Sequence, residues 1–199
     1  MEKRMLKLYS KSGTVPLKVV KGHFATNHSH INYYIDITTL KTRLSEAESA
    51  AKELVNHYLS SAVVDTIVCL DGTEVIGTCL ASELTHSGFM SLNSHRTIYV
   101  VTPEYNSNSQ LLFRDNIQPM IEGKHVLILM ASVTTGKTIS KSIECVQYYG
   151  GPVGGLPVHS VFTPDDLPDY ASYDVHECPY CKAGQRIEAL VNSFGYSKL

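Results

Sequence analysis

The sequence predicts an α/β protein with a doubly wound, mainly parallel sheet, carrying an N-terminal hood segment and an irregular C-terminal appendage. The first observation is that strand-like and helix-like segments alternate four times between residues 45 and 162. This order is typical of parallel strands joined by right-handed crossovers. The second is that residues 63–70 and 126–129 are nearly continuous apolar runs, as expected of strands buried on both faces. At 199 residues the chain can bury a substantial core.

Composition and charge narrow the class of protein. The net charge is −2, with 17 basic and 19 acidic residues, which provides no electrostatic reason to expect a nucleic-acid partner. No apolar run approaches the roughly 20 residues of a membrane span, and no signal peptide follows the first four residues. Three of the five cysteines, Cys69, Cys79 and Cys145, lie within apolar segments as core or near-core residues. We therefore expect a reduced, cytoplasmic protein without a disulfide framework.

The predicted elements before the parallel sheet form the hood segment, residues 1–36, and the first helix. Residues 5–20 predict a hairpin or a pair of short strands, and residues 32–36 another short strand. A capping box at residues 45–48 begins a helix. Its predicted buried face is Ala47, Ala50, Ala51, Leu54, Val55, Tyr58 and Leu59.

The polar stretch between the two hood strands contains three histidines, His23, His28 and His30. Histidines at this spacing can hold a metal ion, and the first and last residues of a His-x-His pair face one side of an extended chain. The alternative is a solvated loop. We favour the loop because no cysteine or acidic residue nearby in the sequence completes a ligand shell.

The predicted core, residues 37–163, brings three loops to one edge of the sheet. The strand at 63–70 turns into a helix through residues 71–74, the strand at 97–102 leads into the polar loop 103–110, and the strand at 126–129 leads into residues 130–138. A last strand follows at 156–162. Ligands of open α/β sheets bind outside the carboxyl ends of the strands. The three loops are therefore expected to converge on one site.

The stretch after the strand at 126–129 has the composition of a phosphate-binding loop. Small and hydroxyl residues surround a glycine, and a helix follows. Such a loop directs several backbone N–H groups at one point, beneath the positive end of a helix dipole. The candidate phosphate-binding residues are Ser132, Thr134, Thr135, Gly136, Lys137 and Thr138. Residues 131–138 also fit a loose Walker A pattern, with Ala131 in place of the first glycine.

Thr134-Thr135-Gly136-Lys137-Thr138 resembles the T-T-G-x-T loop of the type I phosphoribosyltransferases, which holds the 5′-phosphate of phosphoribosyl diphosphate (PRPP). From Gly22 to Phe162 the order of the elements resembles the orotate phosphoribosyltransferase branch, and we favour this fold over a P-loop fold. The resemblance implies a homodimer that binds PRPP or a nucleotide. If the chain is catalytic, it implies Mg²⁺-assisted transfer of a 5-phosphoribosyl group between pyrophosphate and a nitrogenous base of the orotate type. Asp71, Gly72, Thr73 and Glu74 lie where the family binds pyrophosphate.

Two departures from the family pattern leave the activity open. Met130 and Ala131 occupy the positions of the two acids that hold the ribose hydroxyls in the family, and residues 101–108 lack the basic side chains that neutralise pyrophosphate. Removing one such group can cost about a hundredfold in rate. Asp71 with Glu74 could carry the metal instead, although a turn residue and a helix N-terminus explain them more simply. The alternative function is a non-catalytic protein that senses nucleotides or PRPP.

The C-terminal appendage, residues 164–199, contains a possible zinc knuckle. Cys178 and Cys181 are followed by Gly184 in the order Cys-Pro-x-Cys-x-x-Gly, and His176 is a candidate third ligand. A fourth ligand has to come from elsewhere. An ordinary turn with reduced thiols, or a reversible disulfide, is the favoured alternative, and a zinc-knuckle interaction protein is a third possible function. Residues 185–192 predict a short helix.

Overall fold

In a computed structural model of the chain, the described residues are 2–9, 15–86, 91–108, 110–132, 137–152, 157–162 and 166–199. The strands are β1 (Leu6–Tyr9), β2 (Pro16–Ala25), β3 (His30–Asp36), β4 (Thr66–Cys69), β5 (Tyr99–Val101), β6 (Glu104–Tyr105), β7 (Leu111–Leu112), β8 (Val126–Ser132), β9 (Val158–Phe162), β10 (Ser172–Tyr173), β11 (Ala189–Asn192) and β12 (Gly195–Lys198). The helices are α1 (Thr38–Thr42), α2 (Leu44–Val55), α3 (Glu74–His86), α4 (Lys137–Tyr148) and α5 (Pro179–Lys182).

The predicted fold class is confirmed. Strands β5, β4, β8 and β9 lie in that order in one sheet, and every neighbouring pair is parallel. Helix α3 packs with α2 on one face of this sheet, whereas α4 packs on the other. Both faces are covered, and for this reason nearly every residue of β4 and β8 is buried and most of them are apolar. None of the helices in the described part of the chain has the length and apolarity that crossing a membrane requires.

A second sheet joins the two ends of the chain. Its order is β10-β3-β2-β11-β12, with β1 also paired to β2. Strand β1 pairs with the first half of β2, and β11 pairs with residues 24 and 25 near its end. Strands from residues 1–36 and from residues 166–199 therefore form one sheet, which we call the hood sheet. The division of the chain at residues 36 and 163 remains a prediction.

Two local predictions are wrong for identifiable reasons. Helix α2 begins at Leu44 rather than after a Ser45 cap, because the Arg43 carbonyl accepts the N–H groups of Glu46 and Ala47 at 3.1 and 3.0 Å. The predicted buried face is nevertheless confirmed from Ala47 to Tyr58, whereas Leu59 is only partly buried. Residues 189–192 form β11 rather than a helix. Buried and exposed side chains alternate along them, which is the two-residue period of a strand.

Asp65 joins the amino ends of three parallel strands, at the edge opposite the loops predicted to bind a ligand. Its carboxylate accepts hydrogen bonds from Arg96 at 2.6 Å, from the backbone N–H of His125 at 3.0 Å and from His125 Nδ1 at 2.6 Å. Burial by itself raises the pKa of Asp65, but these hydrogen bonds outweigh it and lower the pKa to about 2. The ionised carboxylate therefore stabilises the folded chain.

We expect Asp65→Asn to reduce the free energy of unfolding by about 2 kcal/mol at pH 7. Because the folded pKa is depressed, this stabilisation is present above the unfolded value of 3.8 and is lost as the pH falls towards 2. Urea unfolding of both proteins at pH 7 and at pH 3 measures the effect, and the gap between them should narrow at the lower pH. The control is Glu104→Gln, which removes an exposed ion pair with Arg114 and should change nothing measurable. A pH-independent gap would contradict the assignment.

Candidate functional site

The order of the parallel strands creates a switch point between β4 and β8. From β4 the chain moves outward to β5, and it then returns to the other side of β4 to form β8. Connections leaving neighbouring strands in opposite directions open a crevice at their carboxyl ends, where α/β proteins bind ligands. The loop 71–73 follows β4, and the candidate phosphate loop follows β8. The topology thus brings two of the three predicted loops to one place.

A cavity of about 220 Å³ lies at this point, between the parallel sheet and the hood sheet. The core contributes Asp71, Ser132 and Thr138 to its wall, and the hood contributes residues 26–29. Thr26 holds the hood turn together, because its hydroxyl donates to the Ser29 carbonyl at 2.9 Å and accepts the Ser29 N–H at 3.0 Å. The cavity therefore has one wall beside the candidate phosphate loop and another wall in the hood.

Only part of the candidate phosphate loop is described. Ser132 ends β8, Lys137 begins α4, and Thr138 lies in its first turn. Val133, Thr134, Thr135 and Gly136 lie outside the described residues, so the predicted grip of their amides and hydroxyls on a phosphate stays a prediction. The described residues on either side are the end of a strand and the first turn of a helix, and helix N-termini bind anions.

The two positions of the missing acids are core positions. Met130 and Ala131 are 1% and 0% exposed, and they lie within β8, which pairs with β9 as far as Ser132. Met130 packs on the face of the sheet that α4 covers, and Ala131 packs on the face that α3 covers. Neither side chain lines the cavity. The departure from the family pattern is therefore built into the packing of the sheet.

The four residues 71–74 have different roles. Asp71 and Gly72 both have positive φ, 58° and 80°, and form a tight turn that directs Asp71 to the cavity. Burial raises the pKa of Asp71. A hydrogen bond from Ser193 and the charge of Lys41 lower the pKa, but by less than burial raises it. Thr73 is fully buried, and its hydroxyl donates to the carbonyls of Leu70 and Leu129. Its role in the structure is thus to join the turn to the sheet.

Glu74 is the first residue of α3, where an acidic side chain suits the helix dipole. Its carboxylate accepts a hydrogen bond from the Thr102 hydroxyl at 3.1 Å. Glu74 does not line the cavity. Of the two acids proposed from the sequence as alternative metal ligands, only Asp71 faces the site.

Lys41 is a buried cation beside the site that sequence reasoning missed. It is 7% exposed, and its ammonium donates to the carbonyl of Asp71 at 2.7 Å and to the carbonyl of Ser193. It also lies 5.2 Å from the centre of the Phe194 ring. Burial lowers the pKa of Lys41, and this effect is larger than the opposite effect of the nearby acidic side chains, which raise the pKa. A buried lysine in a short polar helix leaves little signal in a single sequence, because most such lysines are solvated.

The C-terminal segment completes the cavity with polar groups. Tyr170, Asn192 and Ser193 line it, the last two at the end and turn of the β11–β12 hairpin. The Tyr170 hydroxyl is buried without a hydrogen-bond partner among the residues that the structure describes, and burial raises the pKa of Tyr170 to about 12. A buried hydroxyl without a partner costs about 1–3 kcal/mol. A ligand that accepts its hydrogen bond would remove that cost.

Positively charged side chains are scarce in the wall of the cavity itself. Among its described lining residues there is no lysine or arginine, and His28 is the only basic one. The polar loop 103–110 contains β6, which forms a small hairpin with β7. Arg114 follows this hairpin and pairs with Glu104 across it, at 2.5 Å and exposed to solvent. The basic groups expected of an orotate-type loop are therefore absent from the described part of residues 101–108.

The three histidines of the hood and the C-terminal knuckle are not arranged as the sequence suggested. His23 and His30 are buried, at 0% and 6% exposure, so the solvated-loop interpretation is wrong for both. They contact Cys178 and Cys181, whereas His176 is exposed and is not part of this group. None of the four clustered residues lines the cavity. His28 alone of the three histidines faces it.

The parallel sheet, the hood sheet and the cavity at the switch point define a doubly wound α/β protein with a site at the carboxyl ends of its strands. No model of a known protein family matches the chain. The orotate phosphoribosyltransferase of Desulforamulus reducens is 25% identical over 193 residues, which cover 90% of this chain and 91% of that protein. The UMP synthase of Leishmania donovani superposes with a TM-score of 0.50 at 18% identity, over 75% of this chain and 34% of that chain. The orotate phosphoribosyltransferase of Mycobacterium tuberculosis superposes with a TM-score of 0.47 at 18% identity, over 76% of this chain and 92% of that chain. The chain has the type I phosphoribosyltransferase fold and resembles the orotate branch of that family.

Proposed function

We propose that the cavity at the switch point binds a 5-phosphoribosyl ligand, either PRPP or a nucleotide. The observation that carries this proposal is that Ser132 and Thr138, which flank the candidate phosphate loop, line the same cavity as Asp71 and the hood turn. Phosphates bind well at a strand–loop–helix junction. A base bound at the other end of the ligand would lie against the hood.

Each wall of the cavity then has a distinct task. The phosphate loop, from Ser132 to Thr138, holds the 5′-phosphate through backbone N–H groups and hydroxyls. The base lies against the polar turn at residues 26–29 and the Tyr170 hydroxyl, which has no hydrogen-bond partner within the described parts of the chain. A nitrogenous base presents carbonyl and ring-nitrogen acceptors, which suit a buried hydroxyl donor.

A magnesium ion fits the chemistry of this site when a ligand brings phosphates with it. Mg²⁺ prefers oxygen ligands and is usually held by one or two carboxylates together with substrate phosphates. Asp71 supplies one carboxylate at the cavity wall. When bound, the ion would neutralise negative charge on pyrophosphate. Lys41 and Ser193 hold the Asp71 turn in place for that role.

The activity that we propose first is transfer of a 5-phosphoribosyl group between pyrophosphate and a nitrogenous base, with orotate favoured by the resemblance. In this reaction the chain's own residues bind the phosphate, orient the ribose and exclude water beneath the hood. Resemblance to the family also supports a cytoplasmic homodimer, which sedimentation of the purified protein would test.

The second candidate is a protein that senses PRPP or a nucleotide without transferring anything. Two observations support this alternative. The acid positions are buried as Met130 and Ala131, and the described cavity wall has no lysine or arginine to neutralise a leaving pyrophosphate. A sensor needs only binding, which the phosphate loop and the hood can provide.

A thermal-shift screen of PRPP and mononucleotides tests binding, and pyrophosphate release with PRPP, Mg²⁺ and orotate tests transfer. We expect stabilisation by at least one of these ligands, and we expect Gly136→Val to abolish it, because a β-branched residue in a tight phosphate loop obstructs the close approach of an anion. Ser140→Val, at an exposed position of α4 that does not line the cavity, is the matched control.

Stabilisation accompanied by pyrophosphate release supports the transferase, and stabilisation alone supports the sensor. If no 5-phosphoribosyl compound stabilises the folded wild-type protein, the proposal fails. Unchanged stabilisation in Gly136→Val would show that the phosphate binds elsewhere.

A further inference from the structure

Four metal-binding side chains from distant parts of the sequence meet outside the ligand cavity. His23 lies on β2, and His30 is the first residue of β3. Cys178 immediately precedes the short helix α5, and Cys181 lies within it. Each offers one ligand atom, and all four atoms lie within 4.8 Å of one another. Two imidazoles and two thiols form a donor set that zinc prefers.

Four of the six distances between the ligand atoms are close to those of a tetrahedral zinc site. With Zn–N of about 2.05 Å and Zn–S of about 2.3 Å, a tetrahedron has N···N edges of about 3.3 Å and N···S edges of about 3.5 Å. His23 Nε2 and His30 Nδ1 are 3.1 Å apart. Cys178 Sγ and Cys181 Sγ lie 3.5 and 3.7 Å from His23 Nε2, and Cys181 Sγ lies 3.2 Å from His30 Nδ1. Every measured edge is within about 0.4 Å of the ideal value.

The surroundings of the cluster prepare His23 as a ligand. Its Nδ1 lies 3.0 Å from the carbonyl oxygen of Gln185, and since a carbonyl only accepts, Nδ1 carries the proton. Nε2 therefore presents its lone pair to the centre of the cluster, an arrangement that second-shell carbonyls commonly impose on metal-bound histidine. The Tyr180 ring stacks on the His23 ring with centroids 5.4 Å apart.

The turn at residues 178–184, which we call the knuckle turn, places both cysteine sulfurs next to His23 Nε2. The N–H groups of Lys182 and Gly184 donate to the carbonyls of Cys178 and Cys181 at 3.1 and 2.9 Å. Gly184 has a φ of +72°, a conformation that favours glycine. Cys178 is fully buried, whereas Cys181 is exposed. Solvent access on the Cys181 side leaves a path by which a metal ion can enter.

We propose that His23, His30, Cys178 and Cys181 bind one Zn²⁺ ion in a closed, structural site. Binding releases the two thiol protons, and two thiolates then neutralise the two charges of the ion, so that the largely buried site carries no net charge. Four protein ligands leave no open position for a substrate. The zinc site is separate from the 5-phosphoribosyl site and does not depend on that proposal.

The position of the site gives the metal a specific task. It joins the hood strands β2 and β3 to the segment just before β11, and the β11–β12 hairpin then places Asn192 and Ser193 in the wall of the cavity. The Glu188 N–H also donates to the His23 carbonyl at 2.8 Å, which continues the same connection. Zinc would therefore hold the C-terminal part of the ligand site against the hood.

Metal analysis of the full chain, purified without chelators, tests the proposal. We expect about one zinc per chain in the wild type, and less than a tenth of that in Cys178→Ser and in His23→Asn. His176→Asn is the matched control because His176 is the nearby exposed histidine, and Cys145→Ser controls for loss of a thiol at another site. Both controls should keep the zinc.

A second set of measurements uses only the wild-type chain, so that the test does not depend on whether the variants fold. Co²⁺ exchanged into the wild-type chain should show the visible absorption of tetrahedral cobalt and thiolate-to-metal charge-transfer bands. Thiol titration after zinc removal should reveal two additional reactive thiols. A folded wild-type protein without zinc that cannot take up Co²⁺ would overturn the proposal, as would a Cys178–Cys181 disulfide in the freshly purified protein. Retention of zinc by Cys178→Ser with loss in His176→Asn would also overturn it.

Discussion

Met130→Asp is expected to lower the free energy of unfolding by about 4 kcal/mol rather than to restore a family-like ribose site. Met130 is 1% exposed and packs with Val68, Ile128 and Val146 between the parallel sheet and α4. A carboxyl group placed there has no described cation beside it and either remains an unpaired charge or takes up a proton at a cost. Urea unfolding followed by circular dichroism measures the loss.

The control for this substitution is Met130→Leu, which keeps the volume and apolarity of the side chain and should cost less than about 1.5 kcal/mol. Ala131→Asp should also be strongly destabilising, because Ala131 is fully buried on the other face of the same strand. If Met130→Asp were as stable as the wild type and bound PRPP more tightly, its side chain would have to reach the cavity. The packing of β8 described above would then be wrong.

Lys41→Met is expected to destabilise the chain by about 3 kcal/mol and to weaken ligand-dependent stabilisation. The substitution retains most of the buried apolar stem but removes the ammonium, which leaves the Asp71 and Ser193 carbonyls without the donor they share. Both carbonyls belong to turns at the cavity wall. Loss of their common donor should loosen the two turns relative to each other.

Urea unfolding and a PRPP thermal shift measure the two effects of Lys41→Met. Lys52→Met, at an exposed position of α2, removes the same charge and should change the free energy of unfolding by less than about 0.5 kcal/mol. If Lys41→Met and Lys52→Met had the same free energy of unfolding, the hydrogen bonds of the Lys41 ammonium would not stabilise the folded chain. A normal PRPP shift would mean that the two turns do not shape the ligand site.

Local patterns predicted the buried parts of several core elements. The continuous apolar runs of β4 and β8 predicted buried parallel strands, and the apolar face of α2 predicted which of its residues are buried. These predictions succeeded because burial on one or both faces imposes a periodicity that residue types record directly. The end of the chain was harder to predict. The alternating residues of β11 are too few to distinguish a strand from a helix without their partner, β2.

The zinc cluster shows most clearly what residue spacing cannot reveal. The Cys178–Cys181 spacing indicated half of a metal site, but the sequence placed its third ligand at His176, two positions away. The histidines that complete the cluster lie about 150 residues earlier in the chain, and only the pairing of the hood sheet brings them to the knuckle. Lys41 is a similar case, since its partners Asp71 and Ser193 are 30 and 152 residues away.

By itself, the sequence determined the fold class, the crevice expected at the carboxyl ends of the strands, and the absence of acids at residues 130 and 131. Each of these follows from local composition and from the order of the elements, which the chain carries in one dimension. Only the tertiary structure decided that Asp71 rather than Glu74 faces the cavity, that Lys41 lies behind it, and that His23 and His30 meet the two cysteines. The physical reason is that side-chain neighbours of this kind are made by long-range strand pairing and helix packing, which leave no periodic signal in the residues they join.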